Sequence, residues 1–206
     1  MAQTDSSIGG KTAVDARAGK NLIGTFHQPK AVFIDVDTLK TLDTRQMRAG
    51  FAEVAKYGLV LDADFWAWLE QNGDKVLDTD ADACAFAVER CCAIKARVVA
   101  DDEFELTGRR ALLNFGHTLG HAIESASRMS VLHGEGVAAG CVFAAALSAD
   151  FNGYGAAELI PFMKKDKKAS GGRLNFVLIK AVGNGFLKRD VDAVCVEKTL
   201  NAEGYV

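Results

Sequence analysis

No stretch of this sequence approaches the roughly 20 uninterrupted apolar residues that a membrane span requires. The longest apolar run covers residues 137–147 and has a glycine inside it, so it reads as a buried helix. The opening stretch MAQTDSSIGGKTAV lacks the apolar core of a secretion signal. Neither sign of charge dominates: 24 Lys and Arg face 27 Asp and Glu, for a net charge of −3. No basic surface for nucleic acid is expected from that balance. Prolines number two against twenty glycines, which argues for helices broken by glycine turns and against an all-β sandwich. The five cysteines, Cys84, Cys91, Cys92, Cys141 and Cys195, are odd in number and contain no CxxC pair. A disulfide framework is therefore not expected, and the chain reads as a reduced, cytoplasmic protein with buried thiols.

What is present is a core-forming composition, 49% apolar. Residues 1–30, rich in Gly, Ser, Lys and Thr, read as an extended or looped entry segment. Residues 31–36 (AVFIDV) are the clearest short strand. Residues 43–60 turn helical, with Asp43 or Thr44 as cap and Met47, Phe51, Val54 and Ala55 as the apolar stripe. A second helix is expected over 62–71, ended by Asn72-Gly73. A long third is expected over 80–101, with Ala83, Phe86, Ala87, Cys91, Ile94 and Val98 inward. The charged segment 102–108 breaks the pattern, and helical spacing resumes over 109–127. After a His133-Gly134-Glu135 turn, a small-residue helix runs to about residue 149. Then come a loop at 151–155, a short helix at 158–168 and a strand at 173–181. A turn at Gly183-Asn184-Gly185 leads to a return strand, and Asp190 caps a last helix to about residue 202. The expected architecture is one domain over residues 1–206, mainly α: a helical bundle with a few short β-strands.

The residues that could carry chemistry start with NFGHTLGHAIE, residues 114–124, which places His117 and His121 four apart. On a helix, that spacing puts both imidazoles on one face, roughly 5–6 Å apart. It lets them reach one zinc ion, as in the HExxH helix, although the glutamate of that motif is missing here. His133 follows within the same short stretch. Spacing leaves two readings open, a metal site or satisfied histidines. Glu53, in GFAEVAKYG, lies on the apolar part of its helix, where a carboxylate is expensive to bury alone. Lys56 at i+3 is one partner for it; a metal ion is the other, since two histidines, a carboxylate and an open position form a catalytic zinc set. SSIGGKT and AGKNLIG each put a lysine after glycine, as phosphate-approaching loops do, but without P-loop spacing. Lys95, Arg109, Arg110, Lys167 and Lys168 add cations suited to an anionic substrate.

The blocks DSSIGGKTAV, GKNLIGTFHQP, GFAEVAKYG, LLNFGHTLGHAIE, LHGEGVAAG and MKKDKK resemble, in this order, blocks that recur in the 3-dehydroquinate synthase family. The resemblance covers about residues 3–190 and is to the family's mainly helical C-terminal domain. No counterpart of the family's N-terminal nucleotide-binding domain, with its glycine-rich NAD fingerprint, is expected in this sequence. NAD binding by the chain alone is expected to be very weak and turnover near zero. The resemblance implies cyclisation of 3-deoxy-D-arabino-heptulosonate 7-phosphate to 3-dehydroquinate with loss of phosphate, in the shikimate pathway. It implies NAD and a divalent cation, zinc or cobalt, as cofactors, and a homodimer without nucleic-acid or membrane partners. Carried over by motif, the metal ligands are Glu53, His117 and His133. His121 is then a substrate-contacting or proton-transfer residue. Lys56, Arg110, Asn114, Lys95 and Asp5 match the substrate site, with Lys167 or Lys168 as a further cation. Lys11, Lys20 and Thr38, Leu39, Lys40 and Thr41 match positions that touch NAD. Between residues 149 and 158 the chain is shorter than the family pattern by about one helix with its loops. Two competing readings are a related cyclase of the 2-deoxy-scyllo-inosose synthase type and a folded metal- or anion-binding remnant without turnover.

Overall fold

The computed structural model describes residues 1–16, 19–128, 130–148 and 174–202. Three helices of the first half each begin at an aspartate. Asp43 accepts from Gln46 N at 2.8 Å to start α1 (Thr44–Leu61), and Asp62 accepts from Phe65 N at 3.0 Å to start α2 (Ala63–Leu77). Asp80 accepts from Ala83 N at 2.9 Å to start α3 (Ala81–Asp101). Each carboxylate satisfies an amide that the first turn leaves orphaned, which stabilises a helix by about 1 kcal/mol. Met47, Val54, Tyr57, Phe65, Leu69 and Val76 then close a core between α1, α2 and α3.

A second core holds the other half. Helices α4 (His117–Ala126) and α5 (His133–Leu147) cross closely, with Gly116 and Gly120 set against the backbone of Cys141 and Gly136. An antiparallel hairpin, β3 (Leu174–Ala181) and β4 (Asn184–Val191), covers them together with α6 (Ala193–Ala202). Leu119, Ile123, Phe143, Phe176, Val196 and Leu200 interdigitate there. Helix α5 is central: α1 packs on one side, α4 and β3 on the others. A separate hairpin, β1 (Lys11–Ala16) and β2 (Gly19–Phe26), has a register shift between Val14 and Ala16. Short 3-10 turns at Ala2–Thr4, Val36–Thr41 and Arg110–Asn114 connect these parts.

The mainly helical expectation is met, with local corrections. Residues 1–30 contain the β1–β2 hairpin where a looped entry was expected. Residues 31–35 are not a strand: apolar composition alone does not make one without a partner edge, and Phe33 is 95% exposed. Helix α2 runs through Asn72-Gly73 to Leu77, because the Phe51 ring fills the space where a Gly73 side chain would sit. Phe86 faces outward, 4.4 Å from the Trp68 ring, and Cys84 takes the inner position. The helical pattern at 109–127 splits into a 3-10 turn and α4, with Gly116 between them at φ 77°, a left-handed conformation that favours glycine. The last helix is capped by Asp192, whose side chain accepts from Val194 N at 2.9 Å; Asp190 belongs to β4. Cys84, Cys91 and Cys141 are buried as expected, while Cys195 is exposed. The loop expected at 151–155 and the helix at 158–168 lie outside the described residues. Among the described residues, no helix is long and apolar enough to cross a membrane.

Candidate metal and substrate site

Three helix segments converge on one point. Glu53 comes from the middle of α1, His117 from the first residue of α4 and His133 from the first residue of α5. Glu53 Oε1 lies 3.5 Å from His117 Nε2 and 3.4 Å from His133 Nε2. The opposite ring nitrogens are both occupied. His117 Nδ1 donates to Phe115 O at 3.1 Å, and His133 Nδ1 donates to Glu124 Oε2 at 3.2 Å. A carbonyl and a carboxylate can only accept, so each Nδ1 carries a proton, and in the neutral imidazole each Nε2 then turns its lone pair toward Glu53.

That arrangement aims three acceptors at one another. Glu53 Oε1 is buried and accepts no hydrogen bond. Charge-assisted hydrogen bonds run about 2.7–2.9 Å, and the observed separations are longer. They match the edge of a tetrahedron around a cation with ligands at about 2.0–2.1 Å, which is roughly 3.3 Å. The donor set and the orphaned oxygen therefore fit a zinc-like ion.

Sequence spacing offered Glu53 either Lys56 or a metal ion. The carboxylate has room for both. Its Oε2 takes Lys56 Nζ at 2.5 Å, while Oε1 faces the histidines. Lys56 is only 3% exposed. Burial alone would raise the Glu53 pKa, but the Lys56 ammonium holds the carboxyl far below the ordinary carboxylate range. Burial alone would lower the Lys56 pKa, and Glu53 with Asp5 overcomes it, so the ammonium stays charged.

Asp5 anchors the next layer. Tyr57 Oη donates to Asp5 Oδ2 at 3.0 Å, and Lys95 Nζ donates to the Asp5 carbonyl at 2.7 Å with its carboxylate 3.6 Å away. Burial lowers the Lys95 pKa, and the charges of Lys56 and Arg110 lower it further against Asp5. Lys56, Lys95 and Arg110 thus crowd one another beside the buried carboxylates of Glu53 and Asp5. Such a field favours an added anion.

A cleft of about 830 Å³ opens over the metal triad. Asp5, Glu53, His117 and His133 line it, and so do Thr38, Leu39 and Thr41, expected from the resemblance to touch NAD. The other expected residues sit elsewhere. His121 is half-buried, its ring centre 5.4 Å from His117 and 5.9 Å from His133, and it does not line the cleft. The Arg110 guanidinium is turned inward, donating to Gly9 O and Glu103 O, both at 2.7 Å. Asn114 Nδ2 donates to Ala111 O at 3.2 Å within its own turn. Lys40 pairs with Asp37 at 2.6 Å on the surface, and Lys11 pairs with Glu105. Lys20 falls on β2 with its side chain outside the described set. Lys167 and Lys168 lie outside the described residues.

Three contributors escaped sequence reasoning. Tyr57 is fully buried against Asp5, and Gln3 donates to Asp35 O and Thr38 Oγ1, both at 2.7 Å, shaping the cleft wall. Glu124 orients His133 and is 4% exposed. Its signal was present: like Glu53, it is a carboxylate on an apolar helix face, two turns from His117.

The family pattern described as 3-dehydroquinate synthase C-terminal matches residues 50–169, and the pattern described as 3-dehydroquinate synthase N-terminal matches residues 1–49. The second match gives the opening segment, read from sequence as part of the helical domain, to the N-terminal unit. Curated relatives include 3-dehydroquinate synthases of Zymomonas mobilis subsp. mobilis, 44% identical over 93% of this chain, and Pseudoalteromonas atlantica, 44% identical over 98%. That of Caulobacter vibrioides is 43% identical over 100% of this chain. The chain spans 59%, 64% and 64% of the length of these relatives. Among solved structures, a 2-epi-5-epi-valiolone synthase from Streptomyces hygroscopicus subsp. jinggangensis with NAD+ and Zn2+ bound superposes with a TM-score of 0.84. It is 24% identical, over 96% of this chain and 62% of that one. A 2-deoxy-scyllo-inosose synthase complexed with carbaglucose-6-phosphate, NAD+ and Co2+ gives a TM-score of 0.77 at 24% identity, with the same coverage. At that identity the two structures show the fold alone. The sequence match over residues 50–169, with the helical fold those structures share, establishes that the chain belongs to the 3-dehydroquinate synthase family.

Proposed function

We propose that this chain supplies the metal- and substrate-binding part of a 3-dehydroquinate synthase. The reaction is NAD-dependent cyclisation of 3-deoxy-D-arabino-heptulosonate 7-phosphate to 3-dehydroquinate with loss of phosphate. The observation that carries the reading is the convergence of Glu53 Oε1 with two imidazole lone pairs below an 830 Å³ cleft. Glu53, His117 and His133 would hold zinc or cobalt. A divalent ion there supplies a Lewis acid for a hydroxyl that loses hydride and for the carbonyl of an aldol closure.

The chain's own residues do the rest. Lys56 and Lys95 stabilise the negative charges of a carboxylate- and phosphate-bearing substrate, charge-assisted contacts being the strong ones. Glu53 holds the Lys56 ammonium in place, and Asp5, itself held by Tyr57, holds that of Lys95. His121, beside the triad and outside the cleft lining, is the acid–base group and reaches substrate after local rearrangement. Thr38, Leu39 and Thr41 form the edge of the NAD site, and Arg110 and Asn114 serve the substrate carboxylate after local rearrangement. The protein acts in the cytoplasm, as a homodimer.

The test mixes the chain with zinc, NAD and the heptulosonate phosphate, with and without a nucleotide-binding N-terminal unit of the family, and follows phosphate release. Release is expected in the complemented mixture and lost on Glu53→Ala or His133→Ala. If glucose 6-phosphate, the sugar phosphate that resembles the carbaglucose-6-phosphate bound in the 2-deoxy-scyllo-inosose synthase structure, is turned over instead, the substrate assignment is wrong. Normal zinc binding with no release under any complementation would make the chain a non-catalytic remnant.

A further inference from the structure

His133 has a second set of metal-ligating neighbours that the triad does not use. His121 and Glu124, one helical turn apart on α4, bring ligand atoms within 4.8 Å of those of His133 and of each other. Glu124 Oε2 and His133 Nδ1 are already 3.2 Å apart, close to the roughly 3.3 Å edge of a tetrahedral zinc site. The Glu124 carboxylate is 6% exposed and lies against an imidazole. His133, common to both sets, is 47% exposed, whereas Glu53 and His117 are 14% and 11% exposed.

We propose that His121, Glu124 and His133 form a second divalent-cation position, alternative to the Glu53–His117–His133 triad and sharing His133 with it. The inference rests on the metal reading of that triad. The chemistry of the shared ring makes the positions exclusive. A neutral imidazole has one lone-pair nitrogen and one N–H. With the ion in the triad, Nε2 is the ligand and Nδ1–H donates to Glu124. With the ion at the second position, Nδ1 is the ligand and the proton sits on Nε2. There it faces Glu53 Oε1, 3.4 Å away, the buried acceptor that otherwise lacks a hydrogen bond. The tautomer change thus gives both carboxylate oxygens that face His133, Glu124 Oε2 and Glu53 Oε1, a partner in either state. An ion at the second position ties up His121 and empties the triad, so that state is non-productive.

The experiment measures uptake of zinc by chelator competition, and of cobalt by its visible absorption, on the purified chain. Wild type takes up one ion per chain, with no second equivalent in excess metal. The Glu53→Gln/His117→Ala variant leaves His133 alone from the triad. It should still take up one ion per chain, weaker by about 100-fold or more, with an altered cobalt spectrum. Adding His121→Ala or Glu124→Ala should abolish that uptake. A milder pair, less prone to unfolding, reads the same property: His121→Asn leaves wild-type affinity nearly unchanged but removes the residual binding of His117→Asn. A folded double variant that takes up no ion overturns the second position while leaving the triad intact. So does residual binding that ignores His121 and Glu124. A wild-type chain that takes up no ion overturns the triad itself.

Discussion

Replacing Lys56 by methionine isolates the electrostatics of the site. Lys56 is 3% exposed, and its Nζ lies 2.5 Å from Glu53 Oε2, so the pair is buried and in contact. Methionine matches the length of the stem and removes the charge. Breaking a buried ion pair by deleting one partner destabilises by about 3–5 kcal/mol, because the other charge stays buried. For a chain of this size each kcal/mol lowers the melting temperature by about 2–4 °C, so the metal-free variant should melt roughly 6–20 °C below wild type. The double variant Lys56→Met/Glu53→Gln removes both charges and should recover most of that loss, a coupling readable from a double-mutant cycle. Zinc at about 100 times its Kd adds roughly 2.7 kcal/mol to any form that binds it. It should raise the melting temperature of Lys56→Met, where Glu53 remains, by much more than that of the double variant, whose binding is weaker. The assay is thermal unfolding followed by circular dichroism, with and without zinc. A Lys56→Met chain that melts within about 2 °C of wild type, less than the shift for 1 kcal/mol, would refute the reasoning.

Other consequences follow from single contacts. A Cβ on Gly134 would fall far inside van der Waals contact with the Ala49 carbonyl. Gly134→Ala should therefore push the start of α5 off α1 and carry His133 away from Glu53, lowering zinc affinity more than stability, as chelator competition and thermal melts will show. Arg45, with the Leu132 amide, holds the Glu135 carboxyl at about 2 against an ordinary 4.5, so its folded pKa is depressed. Its stabilisation is present above pH 4.5 and is lost as pH falls toward about 2. Glu135→Gln should flatten the acid limb of the melting-temperature profile across that window. Tyr57→Phe removes a buried donor to Asp5 and should destabilise by about 0.5–1.5 kcal/mol, measured by urea unfolding.

Much of the helical half was legible because its signals are local. The aspartates that start α1, α2 and α3 and the apolar residues behind them sit in contiguous sequence, and the three helices form near the expected limits except at the C-terminal end of α2. What failed depended on distant partners. Residues 31–36 have strand-like composition, but strands exist only in pairs, and no pairing partner meets them among the described residues. Gly73 looked like a helix end because the Phe51 ring that occupies its side-chain space is a turn of another helix away. At the site, the sequence singled out Glu53, His117, His121 and His133 with a metal site and satisfied side chains both open, and only the family resemblance divided His117 from His121, both on one face of α4. In the structure Glu53 Oε1 faces His117 and His133, and Phe115 O accepts from His117 Nδ1. The inward turn of Arg110 toward Gly9 and Glu103 likewise depends on contacts far apart in sequence.

The central claim is that Glu53, His117 and His133 hold one divalent ion while His121 stands beside it. Zinc affinity measured by chelator competition on the four single variants tests this directly. Glu53→Gln, His117→Ala and His133→Ala should each weaken binding by more than about 100-fold, beyond the roughly 10–100-fold typical of losing an orienting hydrogen-bond partner. His121→Ala should bind zinc as wild type does. Equal affinities for wild type and His117→Ala, or loss of zinc on His121→Ala alone, would contradict the account.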